Sequence, residues 1–551
     1  MYKQKFYLFY LFGLLIFSVP QISAQTNWYV SNTQQGANNG TSWANAWSTS
    51  TIVPENIQPG DVVYLDGGSS SMTYSSTFNI GFNGSPSGIV TIKPGVDAGH
   101  NGTVIFNTGG STRAINIQNN KYLRLLGLTF NNSGGIFVDG NSAGATNVIY
   151  IDSCSFTNAQ TQGSILLNGY NAGGAYTYVD SVFIRWNYIQ NGQSSSQVDC
   201  IYMQYAENVF IIANTILNDN LTSTSHVDCI QAGHVVNNLM IANNYLYNAG
   251  YTIAKPNQTL MLEELSGNII LYNNVLYAPD QTGYMNQLVD KNANNAHSLT
   301  IVNNTIISSE AGQFYSDGTS DLFIKNNIFY HSAQVPSVRE GFHLGINTYA
   351  NLDANLYTPL GAIGTGIIAI GGYGGTSMSS LNSSGAETSG TPSSRDRVDP
   401  LFVNNSSNWH LQSGSPARNQ GVNLQNLVEG WGVQYVEWKD KDGVTRDNTP
   451  DIGAYEFVGS GGGNNPPNQA SNPTPVNGAI NQPASLTLTW SCSDPNGDPL
   501  TYSVYFGTTN NPPLVASNQS NASYNPGQLN NSTIYYWKIV AKDNLGATTS
   551  G

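Results

Sequence analysis

The sequence predicts an all-β protein in which a solenoid of stacked parallel coils is followed by a β-sandwich. Three observations lead there. First, a short phrase recurs as FIRWNYI, FIIANTI, MIANNYL, ILYNNVL, TIVNNTI and FIKNNIF, its shared Asn falling at Asn187, Asn214, Asn244, Asn274, Asn304 and Asn327, at intervals of 27, 30, 30, 30 and 23 residues. Apolar side chains precede each Asn by five and three residues, as Val182 and Ile184 do, and another follows by two, as Ile189 does. Period two on both sides of a fixed residue reads as strand, turn, strand. Second, 57 Gly and a charged fraction of only 9% fit turn-rich β structure better than helices. Third, SLTLTWSCSDPNGDPLTYSVYFGT and STIYYWKIVAKDNLGATTSG near the C-terminus alternate apolar and polar residues.

A repeat of this length cannot bury its own apolar face, so successive units stack. Stacking sets equivalent residues about 4.8 Å apart and turns the apolar positions into internal columns. The Asn residues then form a column of their own, where the amide suits a left-handed bend and bonds along the stack.

Taken in order, Lys3 and Lys5 precede the apolar run Phe6 to Val19 and a small-residue site at Ile22-Ser23-Ala24. Residues 1–24 are read as a secretory signal peptide, which places the protein outside the cell or at its surface. The run is short for a bilayer span, and no later segment is apolar enough to make one. Residues 25–111 are read as an N-terminal cap and first coils: Trp28 to Val30 and Val62 to Leu65 are strands, Pro59-Gly60-Asp61 is a turn, and the Trp and Tyr residues are cap core. A solenoid end exposes a sheet edge that something must cover. Residues 112–357 hold the coils, including weaker copies around Leu128, Cys154 and Asn355. Residues 358–458 are a Gly/Ser-rich loop and a closing segment, to which His410, Arg418 and Asp451 are assigned as end-capping residues. Residues 459–475, rich in Gly, Asn and Pro, are a linker. Residues 476–551 are the sandwich, with Trp490, Tyr502, Val504 and Tyr536 on strands and its last strand missing or very short.

The recurring Asn coils resemble the right-handed parallel β-helix family of extracellular polysaccharide lyases, hydrolases and phage tailspikes, the pectate lyase-like group. The resemblance implies the handedness, which the general rule for parallel crossovers supports. The "YVS…G…G…W" and "PGD" phrases of the cap, and the later DPLF, HLQSGSPA and DIGAYEF phrases, are similar to the two ends of secreted bacterial β-helix proteins. YYWKIVAKD resembles the penultimate strand of a fibronectin type III or immunoglobulin-like domain. The resemblance implies a carbohydrate-active protein with a polysaccharide partner, a lyase or a glycoside hydrolase. A non-catalytic adhesin or glycan-binding rod is the alternative.

Composition narrows the partner. A formal charge of −14 argues against nucleic acid, and against an unaided polyanion unless a divalent cation bridges the charges. A monomer is expected. VDCI occurs at 198–201 and 227–230, one coil apart, which stacks Cys200 on Cys229 within disulfide range and Asp199 on Asp228. Two carboxylates one strand spacing apart suit acid/base work on a glycosidic bond or calcium ligation, with His226 beside them. They equally suit a structural ladder that accepts backbone N–H groups. Glu263 and Glu264 lie one coil on, and His234 and Glu264 each stand ten residues before their coil's Asn. Asp199, Asp228 and His226 are thus the catalytic candidates; Gln231, His234, Glu264 and Lys255 are the substrate-binding ones, with Gln204 and Tyr205 nearby. AGH at 232–234 matches only part of a polygalacturonase motif whose double Asp is absent. Neither Lys255 nor Lys291 matches a lyase motif, so the reaction class stays open.

Overall fold

The computed structural model of this chain describes residues 25–110, 112–140, 146–159, 163–173, 175–190, 199–219, 227–249, 258–279, 286–289, 297–308, 314–316, 319–331, 342–344, 349–357, 368–370, 373–375, 395–396, 398–458, 466–494, 500–543 and 547–551. The expected signal peptide lies outside them. Two compact units result: Met1–Pro400 with Pro416–Glu456, and Leu401–Ser415 with Phe457–Gly551.

The first unit is a parallel β-solenoid. One coil shows the plan. Ile201–Ile212 runs along a first face, bends at Tyr205 and continues along a second; the chain turns at Asn214 and returns as Thr215–Asn218 on a third. The next coil, Ile230–Ala242 and Tyr245–Asn248, pairs with it in parallel, matching Ile201 to Ile230, Ile211 to Ile241 and Ile216 to Leu246. Inward positions form buried columns such as Ile211, Ile241, Leu271 and Ile301. On the third face Phe106, Phe130 and Phe156 stack ring on ring at 5.4 and 4.6 Å.

The Asn column forms at the turn between the second and third faces. Asn244 Oδ1 accepts the Asn214 N–H at 2.8 Å and its Nδ2 at 3.0 Å, while Asn244 Nδ2 donates to Ile211 O at 2.8 Å. The same links run from Asn187 to Asn355, and Cys154 N–H donates into the foot of the ladder at Asn187. The left-handed residue is not the ladder Asn but the one before it: Ala213, Asn243, Asn273, Asn303 and Asn326 have φ of 55–59°. The ladder side chain is thus selected for hydrogen bonding, and its neighbour for the bend.

At the N-terminal end Asn27–Ser31 pairs in parallel with Val62–Leu65. Trp28 stacks on buried Trp47 at 5.0 Å, and its Nε1 donates to Asp61 at 2.8 Å. The segment expected to close the other end does something else. Leu424, Val428, Trp431, Val436 and Trp438 pack on the outward side chains of the second face, Phe210, Met240, Ile270 and Tyr272 among them. Its later part crosses the Asn corner, where Arg446 donates to Asn273 Oδ1 at 2.9 Å and Ala454 N–H to Thr305 Oγ1 at 3.0 Å. The covered strands are apolar on both sides, so their outer side needed a second layer. His410 falls in the other unit, and Arg418 and Asp451 in this flanking segment.

The second unit contains two antiparallel sheets around Leu488, Trp490, Tyr502, Val504, Ile539 and Ala541. Ser471–Thr474, inside the expected linker, is already a strand paired with Leu488–Ser491, and the short Thr548–Ser550 pairs with Tyr536–Asp543. Among the described residues the single α-helix is Gln425–Gly430. No described helix is long and apolar enough to cross a membrane.

Candidate functional site

Asp199 and Asp228 do stack on adjacent coils, just ahead of the first face, but inside the wall: both are buried, at 2% and 0% exposure. Asp199 Oδ1 accepts the Asp228 N–H at 2.8 Å, and Asp228 Oδ1 accepts the Gln258 N–H at 2.6 Å. This is the ladder geometry, with the carboxylates serving strand ends. Cys200 and Cys229 follow as fully buried thiols. Their Sγ atoms lie against successive carbonyls, Leu217 O at 3.8 Å and Tyr247 O at 3.3 Å, so the stacked side chains run parallel and no bridge forms. Burial raises the Cys229 thiol well above its ordinary range, with the Cys200 charge adding to it.

What faces outward on the first face is a pair of columns. Strand register puts Leu166, Tyr202, Gln231 and Met261 in one, and Gln118, Asp139, Asn168, Gln204 and His234 in the next. The second column is wired. Tyr202 Oη donates to Gln204 Oε1 at 3.4 Å, Gln204 Nε2 to Asn168 Oδ1, and Asn168 Nδ2 to Asp139 Oδ1 at 2.8 Å; Gln118 Nε2 donates to Asp139 Oδ2 at 2.7 Å. Each amide hands its donor toward the Asp139 carboxylate, which holds the row in one orientation.

At the C-terminal end of that row the pairing slips by one residue between Met203/Gln204 and Ala232/His234, leaving Gly233 as a bulge. The end of the Tyr202 ring lies where a Cβ on Gly233 would be, so any larger residue there would push the phenol aside. The bulge re-aims His234, whose side chain is 48% exposed, and Glu264 Oε2 approaches its Nδ1 at 3.6 Å. Glu264 itself sits at the bend in a left-handed conformation, φ 54°, two coils from the bend at Tyr205 and on the far side of His234. Tyr205 stacks on His234 at 5.5 Å, and Tyr176 stacks on Tyr205 at 5.3 Å. Tyr176 comes from a hairpin, Tyr170–Ala172 with Ala175–Thr177, that borders the face. Burial, then the charges of Asp199 and Glu263, raise the Tyr202 phenol, so its proton is held near neutral pH. Burial and Asp180 likewise raise the Glu207 carboxyl, against a hydrogen bond from Asn237.

The structure thus brings together His234, Glu264, Tyr205, Gln204 and Gln231, and buries Asp199 and Asp228 against backbone N–H groups. His226, Lys255 and Lys291 lie outside the described residues. Tyr202, Asn168, Asp139 and Gln118 were missed; aligning ILLN at 165–168 with IYMQ at 201–204 would have shown two of them. Calcium finds its expected carboxylates committed to backbone N–H groups, and among the described residues no three His, Cys, Asp or Glu converge to hold an ion.

No family model and no curated protein matches this chain. Among solved structures it is similar to pectate lyase Pel9A, at 18% identity and TM-score 0.43 over 80% of this chain and 98% of that one. XylC in complex with xylose gives 9% and 0.43 over 80% and 99%. The GH136 lacto-N-biosidase from Eubacterium ramulus gives 12% and 0.36 over 63% and 68%.

Proposed function

We propose that this chain is an exported carbohydrate-active protein that lays a polysaccharide across its first face and cleaves it beside His234. The observation that carries the reading is convergence: a half-exposed imidazole stands against Glu264 and the Tyr205 ring, next to the proton-bearing Tyr202 and the ordered amides of Gln204 and Asn168. Glu264 at Nδ1 favours the tautomer with its proton there, leaving Nε2 as the base. In this reading Nε2 takes a proton from water, for hydrolysis, or from a sugar carbon beside a carboxylate, for elimination. The Tyr202 O–H returns one to the departing glycosidic oxygen. The stacked rings and fixed amides suit sugar faces and hydroxyls. Export rests on residues 1–24, and the C-terminal unit is read as a fibronectin type III-like accessory module.

One observation favours a rod that only binds. The Gln118–Asp139–Asn168–Gln204 row satisfies its own hydrogen bonds, as a structural face would. Incubation with a panel of polysaccharides, following new reducing ends and the absorbance of an unsaturated product, separates the readings. Cleavage that disappears in His234→Ala supports the site; binding with neither product on any polysaccharide replaces it by the rod.

A further inference from the structure

We propose that the N-terminal margin of the flanking segment's cover over the second face is a separate binding site for an acidic sugar chain, with Trp186 and Tyr435 as stacking surface and Arg124 as anion contact. The flanking segment covers the second face from Phe210 onward, and its own Trp431 and Trp438 are buried. At its margin the pattern changes. Trp186 and Tyr435 meet edge to face at 4.8 Å and stay 41% and 46% exposed. Both are left-handed, at φ 56° and 70°. At the equivalent bends the chain uses Ser153, Ala213, Asn243, Asn273, Asn303, Asn326 and Ala354. A bulky ring is costly in that conformation, and one that also stays in water gains little from packing. A ligand that stacks on the rings accounts for both.

The charges under the rings indicate what kind of ligand. Arg185, 2% exposed, is spent on Asp152 in a two-pronged pair at 2.9 and 2.7 Å. Its guanidinium stands 4.8–5.1 Å from the rings of Tyr150, Trp186 and Tyr435, which fixes the corner before anything binds. Arg124 is the second cation on the same carboxylate, reaching Asp152 Oδ2 only through Nε at 3.3 Å, stacked on Tyr150 at 4.9 Å and 34% exposed. Two guanidinium groups against one carboxylate leave a surplus positive charge here, on a chain that is −14 overall. Stacking rings beside a surplus guanidinium match a pyranose that carries a carboxylate. The site is independent of cleavage at His234.

Calorimetric titration of the full chain with hexagalacturonate and with xylohexaose at low salt tests it. The acidic hexamer should bind at one more site than the neutral one. Trp186→Ala with Tyr435→Ala should remove that site or weaken it at least tenfold, Trp186→Phe should retain it, and Arg124→Gln should weaken the acidic hexamer alone at least tenfold. His234→Ala should leave it intact, and melting temperatures report that each variant is folded. The proposal is overturned if the acidic hexamer gains no extra site, if the ring and Arg124 variants bind as the parent does, or if His234→Ala abolishes the extra site.

Discussion

Burial separates Asp228 from His234, though both stand on one coil. Asp228 is fully buried and holds the Gln258 N–H, so Asp228→Ala leaves a buried donor without its acceptor. That costs about 1–3 kcal/mol, and a lowered melting temperature with unchanged turnover per folded molecule is expected. Turnover lost at unchanged stability would return the catalytic role to the Asp pair. His234 is half exposed, beside Tyr205 and Glu264, so His234→Ala should leave melting nearly unchanged. Losing a general base should lower kcat about 10²–10⁴-fold; kcat within threefold of the parent would remove His234 from the mechanism. The repeat register correctly put Asp199 and Asp228 on neighbouring coils. It could not say which side of the wall their carboxylates take, because period two holds along a strand and both residues precede one. His234 was legible as a candidate, whereas its re-aiming by the Gly233 bulge depends on a register slip no periodicity records.

At the scale of elements, the ladder and the flanking segment show where sequence patterns succeed and fail. The Asn interval announced a column because each turn must satisfy the same backbone groups. The flank was readable too, in runs such as VFII and LMIA that are apolar at every position and so imply burial on both sides. What covers them was not, since nothing local ties Trp431 to Tyr272, which meet edge to face at 5.5 Å. The flank also carries a pH dependence. Glu456, beside Arg446, is pushed by burial from an ordinary 4.5 up to about 7, the Arg446 charge opposing the shift, and Asp440 is raised to about 6 by burial. A carboxyl raised on folding stabilises fully below its unfolded value, and that contribution is lost as pH rises through its folded value. The melting temperature of the solenoid unit should therefore carry a component that falls between about pH 4.5 and about 7. Glu456→Gln, neutral throughout, should flatten it; parallel profiles for the two proteins would reject the burial argument.

At the scale of the whole molecule, two cores fold on different principles. The solenoid adds coils one on another, each contacting its neighbours, while the second unit closes two antiparallel sheets around Trp490 and Val504. The first-face columns around His234, the Asn ladder and the flanking segment all belong to the first unit. A chain ending at Val458 would lose the two sheets around Trp490 and Val504 and keep every one of those residues. It should cleave a soluble polysaccharide with kcat/KM within about twofold of the full chain and show the same solenoid melting transition. If the second unit is an accessory module, its loss should be felt on insoluble polysaccharide, where tethering raises the local substrate concentration. Measuring both substrates on both chains decides the matter. A shortened chain that melts as before yet no longer cleaves the soluble substrate would show that the second unit contributes to the site, and the modular reading would fail.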